Sequence, residues 1–238
     1  MLTVILVSGP PFDTPLWEHV ENRLKHHNMT AASWPMFEGP SGEFSDETQR
    51  LVQFVESFND PVILVGHGLA NPLVMAAANA TKLAGLVLSN GPLSGPDRLT
   101  RAVQLLDRTP HALALPFLRS SFGLRRMVVN PYVMDHDTTV AVCGPILAKP
   151  ARRAQMRNFL QTMTWSPLPT GLSVLLCQGD SDLLSCQNNL SLLNKECTNL
   201  TIDSVPGGRP LHPLERPWEL ADRLALWSQN SLTATQMS

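Results

Sequence analysis

The sequence predicts an α/β fold whose mostly parallel central sheet is flanked by helices, in a single domain over residues 1–238. Three observations carry this. The run Pro61–Val65 is apolar and β-branched, as in a strand buried on both faces, and it passes through a sharp turn with two glycines into the Ala- and Met-rich segment Asn71–Ala78. Short apolar runs of strand length recur at Leu2–Val7, Leu83–Ser89, Ser173–Cys177 and Leu200–Val205, with helical stretches between them. The 238 residues suffice for one substantial core, and no internal repeat or interdomain linker interrupts them.

Taken in order, Leu2–Val7 is stopped by Gly9, Pro10 and Pro11. Leu16, Val20 and Leu24 give helical spacing over about Pro15–His27, and Thr30–Trp34 reads as a short strand. Pro35–Gly42 is a Pro/Gly-rich loop. Ser45-Asp46-Glu47 offers an N-cap to a helix carrying Leu51, Val52, Phe54 and Val55. After the strand Leu83–Ser89 and Asn90-Gly91-Pro92, the segment from about Pro96 to Trp165 holds helical stretches broken by five prolines and no clear strand. Leu183–Leu193 suits a helix, Pro217–Trp227 a closing amphipathic helix, and Ser228–Ser238 a frayed polar tail.

Composition excludes several classes. The formal net charge is −2, so no basic surplus argues for nucleic acid or an acidic membrane surface. The longest apolar runs fall far short of the ~20 residues that span a bilayer. Leu2–Val7 is too short for a signal-peptide core and lacks a basic start. Cys143, Cys177, Cys186 and Cys197 form no C-x-x-C pair and have no histidine at zinc spacing, so neither metal nor other cofactor is expected. A Cys186–Cys197 disulfide is compatible with the sequence, but reduced thiols in a cytoplasmic protein fit better without a secretion signal.

The turn Gly66-His67-Gly68-Leu69-Ala70 resembles a nucleophile elbow, G-x-S-x-G, and through it the chain resembles the α/β-hydrolase family. Ser8-Gly9-Pro10-Pro11 resembles the family's oxyanion loop, and Trp17 sits where the next helix often carries a tryptophan. Gly179-Asp180-Ser181-Asp182 resembles the turn that presents the acid, and Val205–Pro217 the segment that carries the base. The resemblance covers nearly the whole chain. It implies that residues of about 96–165 form a helical cap over the cleft, the part that shapes specificity.

The constellation departs from that family at three positions. The nucleophile position is Gly68, which has no side chain. The first oxyanion donor falls on Pro10, which has no N–H. Counting back from the closing Glu215-Arg216-Pro217, the base position is Pro210, with His212 two residues further on. The acid matches as Asp182, and the amide of Leu69 remains as a donor at a helix start. Each survivor has a structural reading too: His67 supports the turn, Asp182 caps its own turn or pairs with Arg209, and His212 packs or lies at the surface. Asp135-His136-Asp137 resembles a metal or acid–base group, but adjacent loop residues cannot all point inward. Tyr132 and Cys143 are cap residues placed to line the cleft.

Without nucleophile, base and one oxyanion amide, ester or amide hydrolysis is not expected. The retained cleft leaves a cofactor-independent epimerase, isomerase, lyase or cyclase acting on a natural-product or modified-peptide substrate. The alternatives are a small-molecule binding protein and an inactive pseudoenzyme partner. The expected roles are Asp182 and His212 for catalysis, with Pro10, Gly68, Leu69, Tyr132 and Arg209 around the substrate. Such atypical members occur in natural-product and modified-peptide pathways, a peptide epimerase type among them.

Overall fold

The computed structural model describes residues 2–120, 135–184 and 199–236. Six strands, β1 (Thr3–Ser8), β2 (Thr30–Trp34), β3 (Val62–His67), β4 (Gly85–Ser89), β5 (Val174–Gly179) and β6 (Leu200–Val205), form one sheet in the order β2-β1-β3-β4-β5-β6. Every neighbouring pair is parallel. This is why β1, β3, β4 and β5 read as unbroken apolar runs: each is buried along its whole length, with a helix layer on either face.

On one face, α1 (Glu18–His26) packs against α9 (Pro217–Gln236). Arg23 locks the pair by donating from Nε to Asp222 Oδ1 at 2.7 Å and from a terminal nitrogen to Oδ2 at 3.0 Å. On the other face, α2 (Phe44–Glu56) packs against α3 (Asn71–Ala80). Between β4 and β5 the chain builds α4 (Arg98–Arg108), α5 (His111–Arg119), α6 (His136–Leu147) and α7 (Pro150–Thr162). A short helix, α8 (His212–Glu215), precedes α9.

Two boundaries differ from the sequence reading. The cap of α2 is Glu43, not Ser45, because Ser41 Oγ accepts the Glu43 N–H at 3.0 Å and turns the chain two residues earlier. The stretch after Trp227 continues α9 to Gln236 instead of fraying at Ser228, whose hydroxyl donates to the Ala225 carbonyl at 2.8 Å. Tyr132, the Cys186–Cys197 pair and residues 185–193 of the expected helix lie outside the described residues.

The helices after β4 are fastened to the sheet domain through the Pro35–Phe44 stretch. Arg152 donates to the Met36 carbonyl at 2.8 Å, Asn158 to the Ser41 carbonyl at 2.9 Å, and Gln155 to the Gly39 carbonyl. Thr162 Oγ1 accepts the Phe44 N–H at 2.9 Å. Phe159 fills the space between, with its ring 5.8 Å from Phe37 and 5.5 Å from Phe44. The expected loop is therefore the clasp between α7 and the sheet.

Candidate active site

The C-terminal ends of β1, β3, β4 and β5 meet at the elbow, as expected where a parallel sheet offers its strand ends to ligands. Gly68 sits at the tip with φ +63°, a left-handed conformation that favours glycine. A Cβ built there meets a single neighbour, Leu99 Cδ2, at 3.5 Å. Sterically a serine fits, so glycine has not been forced by crowding. The neighbour that such a Cβ meets, Leu99 in the first turn of α4, is apolar and buried.

The oxyanion side is closed by backbone. A Cβ on Gly9 would fall 2.4 Å from Leu69 N and 2.3 Å from Ala70 N, so the β1 loop lies directly on these amides. Gly9 N–H donates to the His67 carbonyl at 2.9 Å, and the Pro10–Pro11 peptide beyond it is cis. The Leu69 amide is present at the helix start, beside the β1 loop. Asp13 N–H, bonded to the Val142 carbonyl at 2.8 Å, ties this loop to α6.

Asn90 holds the elbow to its neighbours. Its carbonyl accepts from Gly68 N–H at 3.1 Å and Asn71 Nδ2 at 2.7 Å. Its side chain accepts the Gly179 N–H at 2.8 Å and donates to the Arg209 carbonyl at 2.8 Å. One residue with φ +39° therefore joins the elbow, the acid loop and the base loop.

His67 and His212 are both buried, with rings 5.5 Å apart and edge to face. Ser89 stands between them: its Oγ is 3.0 Å from His67 Nδ1 and 3.0 Å from His212 Nε2. Burial lowers the His67 pKa to about 4, against bonds to the backbone of Pro210 and Ser89. Burial and the neighbouring His67 hold His212 well below the ordinary imidazole value, against the nearby Arg209 backbone. Both rings are neutral at pH 7. Of the readings left open for His212, a surface residue is excluded. His67 supports the turn as expected, flanked by Trp17 at 5.8 Å and Phe12 at 6.4 Å.

Asp182 is buried on the loop after β5, and its Oδ1 accepts the Leu184 N–H at 2.8 Å, which is the turn-capping role. Near it lies Asp97, the N-cap of α4, whose Oδ1 accepts from Thr100 N–H at 2.9 Å. Burial lifts the Asp97 carboxyl above its usual range, and the charge of Asp182 adds to that. Asp135 caps α6 through Thr138 N–H at 2.8 Å, and among the described residues no group of His, Cys, Asp and Glu is arranged to hold a metal. Cys143 is fully buried and its thiol is pushed up to about 12 by burial, so it supplies no thiolate.

The sequence reading missed Ser89, Asn90 and Asp97. The signal for the first two was a polar pair ending an apolar strand before Gly91-Pro92. For Asp97 it was the capping box with Thr100.

No curated protein matches this chain. Solved structures with the same fold include an esterase from Thermogutta terrifontis (16% identity, TM-score 0.71, 97% of this chain and 90% of that one). A bromoperoxidase from Bacillus anthracis is similar at 15% identity and TM-score 0.76, over 95% of this chain and 91% of that one. A haloalkane dehalogenase from Bradyrhizobium elkani shares 13% identity at TM-score 0.76, over 98% and 91%. Three reaction types on one architecture leave the chemistry to the site. The sequence pattern of the alpha/beta hydrolase family matches residues 4–226, so the chain belongs to that family.

Proposed function

We propose that this family member works without a serine nucleophile, as a cofactor-independent, non-hydrolytic enzyme of the epimerase, isomerase, lyase or cyclase kind. The observation that carries the reading is Gly68 at the tip of the elbow, where the family's nucleophile side chain is missing. Pro10 in the oxyanion loop and the turning of His212 toward Ser89 support it, because acyl transfer needs nucleophile, base and oxyanion donors together. The substrate is a small molecule or modified peptide held under the segment of about 96–165, with Arg209 at its edge. Catalysis in such a site rests on fixing one substrate conformation, with Asp182 as proton acceptor and His212 behind it. No metal, cofactor or nucleic acid takes part.

The test is direct. Purified protein should hydrolyse activated esters no faster than buffer and should take no label from a fluorophosphonate probe. Labelling of any serine, Ser89 included, would return the chain to the hydrolases.

The missing side chain at Gly68 equally suits a second reading, a small-molecule binding protein or inactive partner. Incubation of a bound ligand in heavy water separates the two. Solvent deuterium entering one ligand carbon marks proton-transfer catalysis and excludes the binder reading.

A further inference from the structure

The formal net charge of −2 averages two unlike parts of the chain. Residues 96–165 carry ten of the 18 Lys and Arg but four of the 20 Asp and Glu, a local charge of +6 that leaves −8 for the rest. Part of that surplus is spent inside. Arg153 is buried on backbone carbonyls, Arg152 holds the Met36 carbonyl, and Arg157 forks onto Asp107. Three guanidiniums on α4 are not spent in this way. Arg98, Arg101 and Arg108 are exposed, and among the described residues no carboxylate forms an ion pair with them. Asp107, the one carboxylate between positions 98 and 120, is buried.

Helical spacing puts the three on one stripe. Positions 98, 101, 105 and 108 recur every three or four residues, so the cations share an outward face with Leu105, while Leu99, Val103 and Leu106 fill the inward one. Leu105 stands 63% exposed between its cations. At one end the stripe meets a second leucine: Arg98 Nη1 lies 3.5 Å from the Leu183 carbonyl, and Leu183 is 70% exposed. The next helix, α5, exposes Leu113 as well. A single exposed leucine is ordinary on a protein surface. Leucines set among cations, with no exposed acid on the stripe, form an amphipathic basic face.

We infer that the outward face of α4 docks this protein on an anionic phospholipid surface. Charge complementarity selects the partner, because guanidinium forks match phosphate oxygens and no exposed carboxylate on the stripe opposes them. The interleaved leucines select lipid over an acidic protein. In a headgroup layer, phosphates and the apolar boundary lie within reach of the same short stretch of helix. A carboxylate-rich protein face answers the cations but sets Leu105 and Leu183 against charge. The contact is peripheral, with the 11 residues of α4 lying along the headgroups. It goes beyond the proposed function and does not depend on it. It also replaces the expectation drawn from composition, since a whole-chain net charge does not register a local stripe.

The experiment is flotation of the purified full chain with two kinds of vesicle, phosphatidylcholine alone and an equal mixture with phosphatidylglycerol. The protein should float with the mixed vesicles and not with the neutral ones, and added potassium chloride should release it. Arg101→Gln and Arg108→Gln should each weaken binding about fivefold, the worth of one cation near an anionic surface. Leu105→Ser should weaken it about tenfold and leave its salt dependence in place. All three positions are exposed, so the variants should fold, and circular dichroism checks that. Equal flotation with both vesicles, flotation with neither, or full binding by an Arg101→Gln/Arg108→Gln double variant would overturn the inference. So would retention on immobilised polyglutamate without vesicle binding, which would assign the stripe to an acidic polypeptide.

Discussion

At the scale of single residues, Gly68 is a backbone solution without its chemistry. The φ of +63° is the strain that a nucleophile elbow imposes on a serine, and a non-glycine residue there bears roughly 1–2 kcal/mol. Gly68→Ser should therefore fold and lose only a few degrees of Tm, since its Cβ would be in ordinary contact with Leu99. It should gain no esterase activity, because Pro10 still lacks an amide proton and His212 still faces Ser89. A spectrophotometric assay with a p-nitrophenyl ester checks this, and clear turnover would mean that the base lies elsewhere. These positions were legible in the sequence, since a glycine or proline at a motif position announces a missing group. Ser89 was not, because a serine ending a strand gives no sign of which rings will flank it.

At the scale of elements, Arg153 joins α4 to α7. Its side chain is buried and one terminal nitrogen donates to the carbonyls of Leu106 at 3.1 Å, Asp107 at 2.6 Å and Thr109 at 2.8 Å. A guanidinium at a helix C-terminus satisfies orphan carbonyls and meets the negative end of the dipole. Arg157 adds a fork onto the Asp107 carboxylate at 2.9 and 3.1 Å, largely solvent-screened. Arg153→Met should lower stability by about 2–3 kcal/mol, the usual worth of charged hydrogen bonds. Hydrogen exchange should quicken over 98–119 before it does in the sheet, and uniform loss of protection would refute a local role. Strands were easy to read because burial on both faces makes them uninterrupted apolar runs. The helices of 96–165 resisted reading because polar groups such as Arg153 are buried there, and prolines sit inside two of them.

At the scale of the whole molecule, the buried imidazoles link stability to pH. For His67 the folded pKa, about 4, lies below the unfolded value, so the unfolded chain binds protons first as pH falls. Stability is full above the unfolded pKa of about 6.5 and is lost progressively down to about 4, by roughly 2 kcal/mol at pH 5 for His67 alone. His212 acts in the same direction. Glu47 and Asp97, with folded pKa values raised mainly by burial, act oppositely as they take up protons. Thermal melts should show Tm falling from pH 7 to pH 5, and His67→Asn should flatten that slope. An equally steep slope in the variant would remove the histidine from the account.

The all-parallel strand order also sets the route by which the chain reaches this state. No two neighbouring strands can be joined by a tight turn, so every pairing waits on a crossover. β3 and β4 are separated by residues 68–84, whereas β4 and β5 are separated by residues 90–173, a loop roughly fivefold longer. Ideal-chain closure makes the second pairing costlier by about 1.4 kcal/mol of entropy. The half from β1 to β4 can thus assemble while the edge formed by β5 and β6 is still seeking its place. Until then the inner edge of β4 is open, with Leu86, Val87 and Leu88 exposed to other chains. Nascent chains released before β5 has been made are the ones that would aggregate.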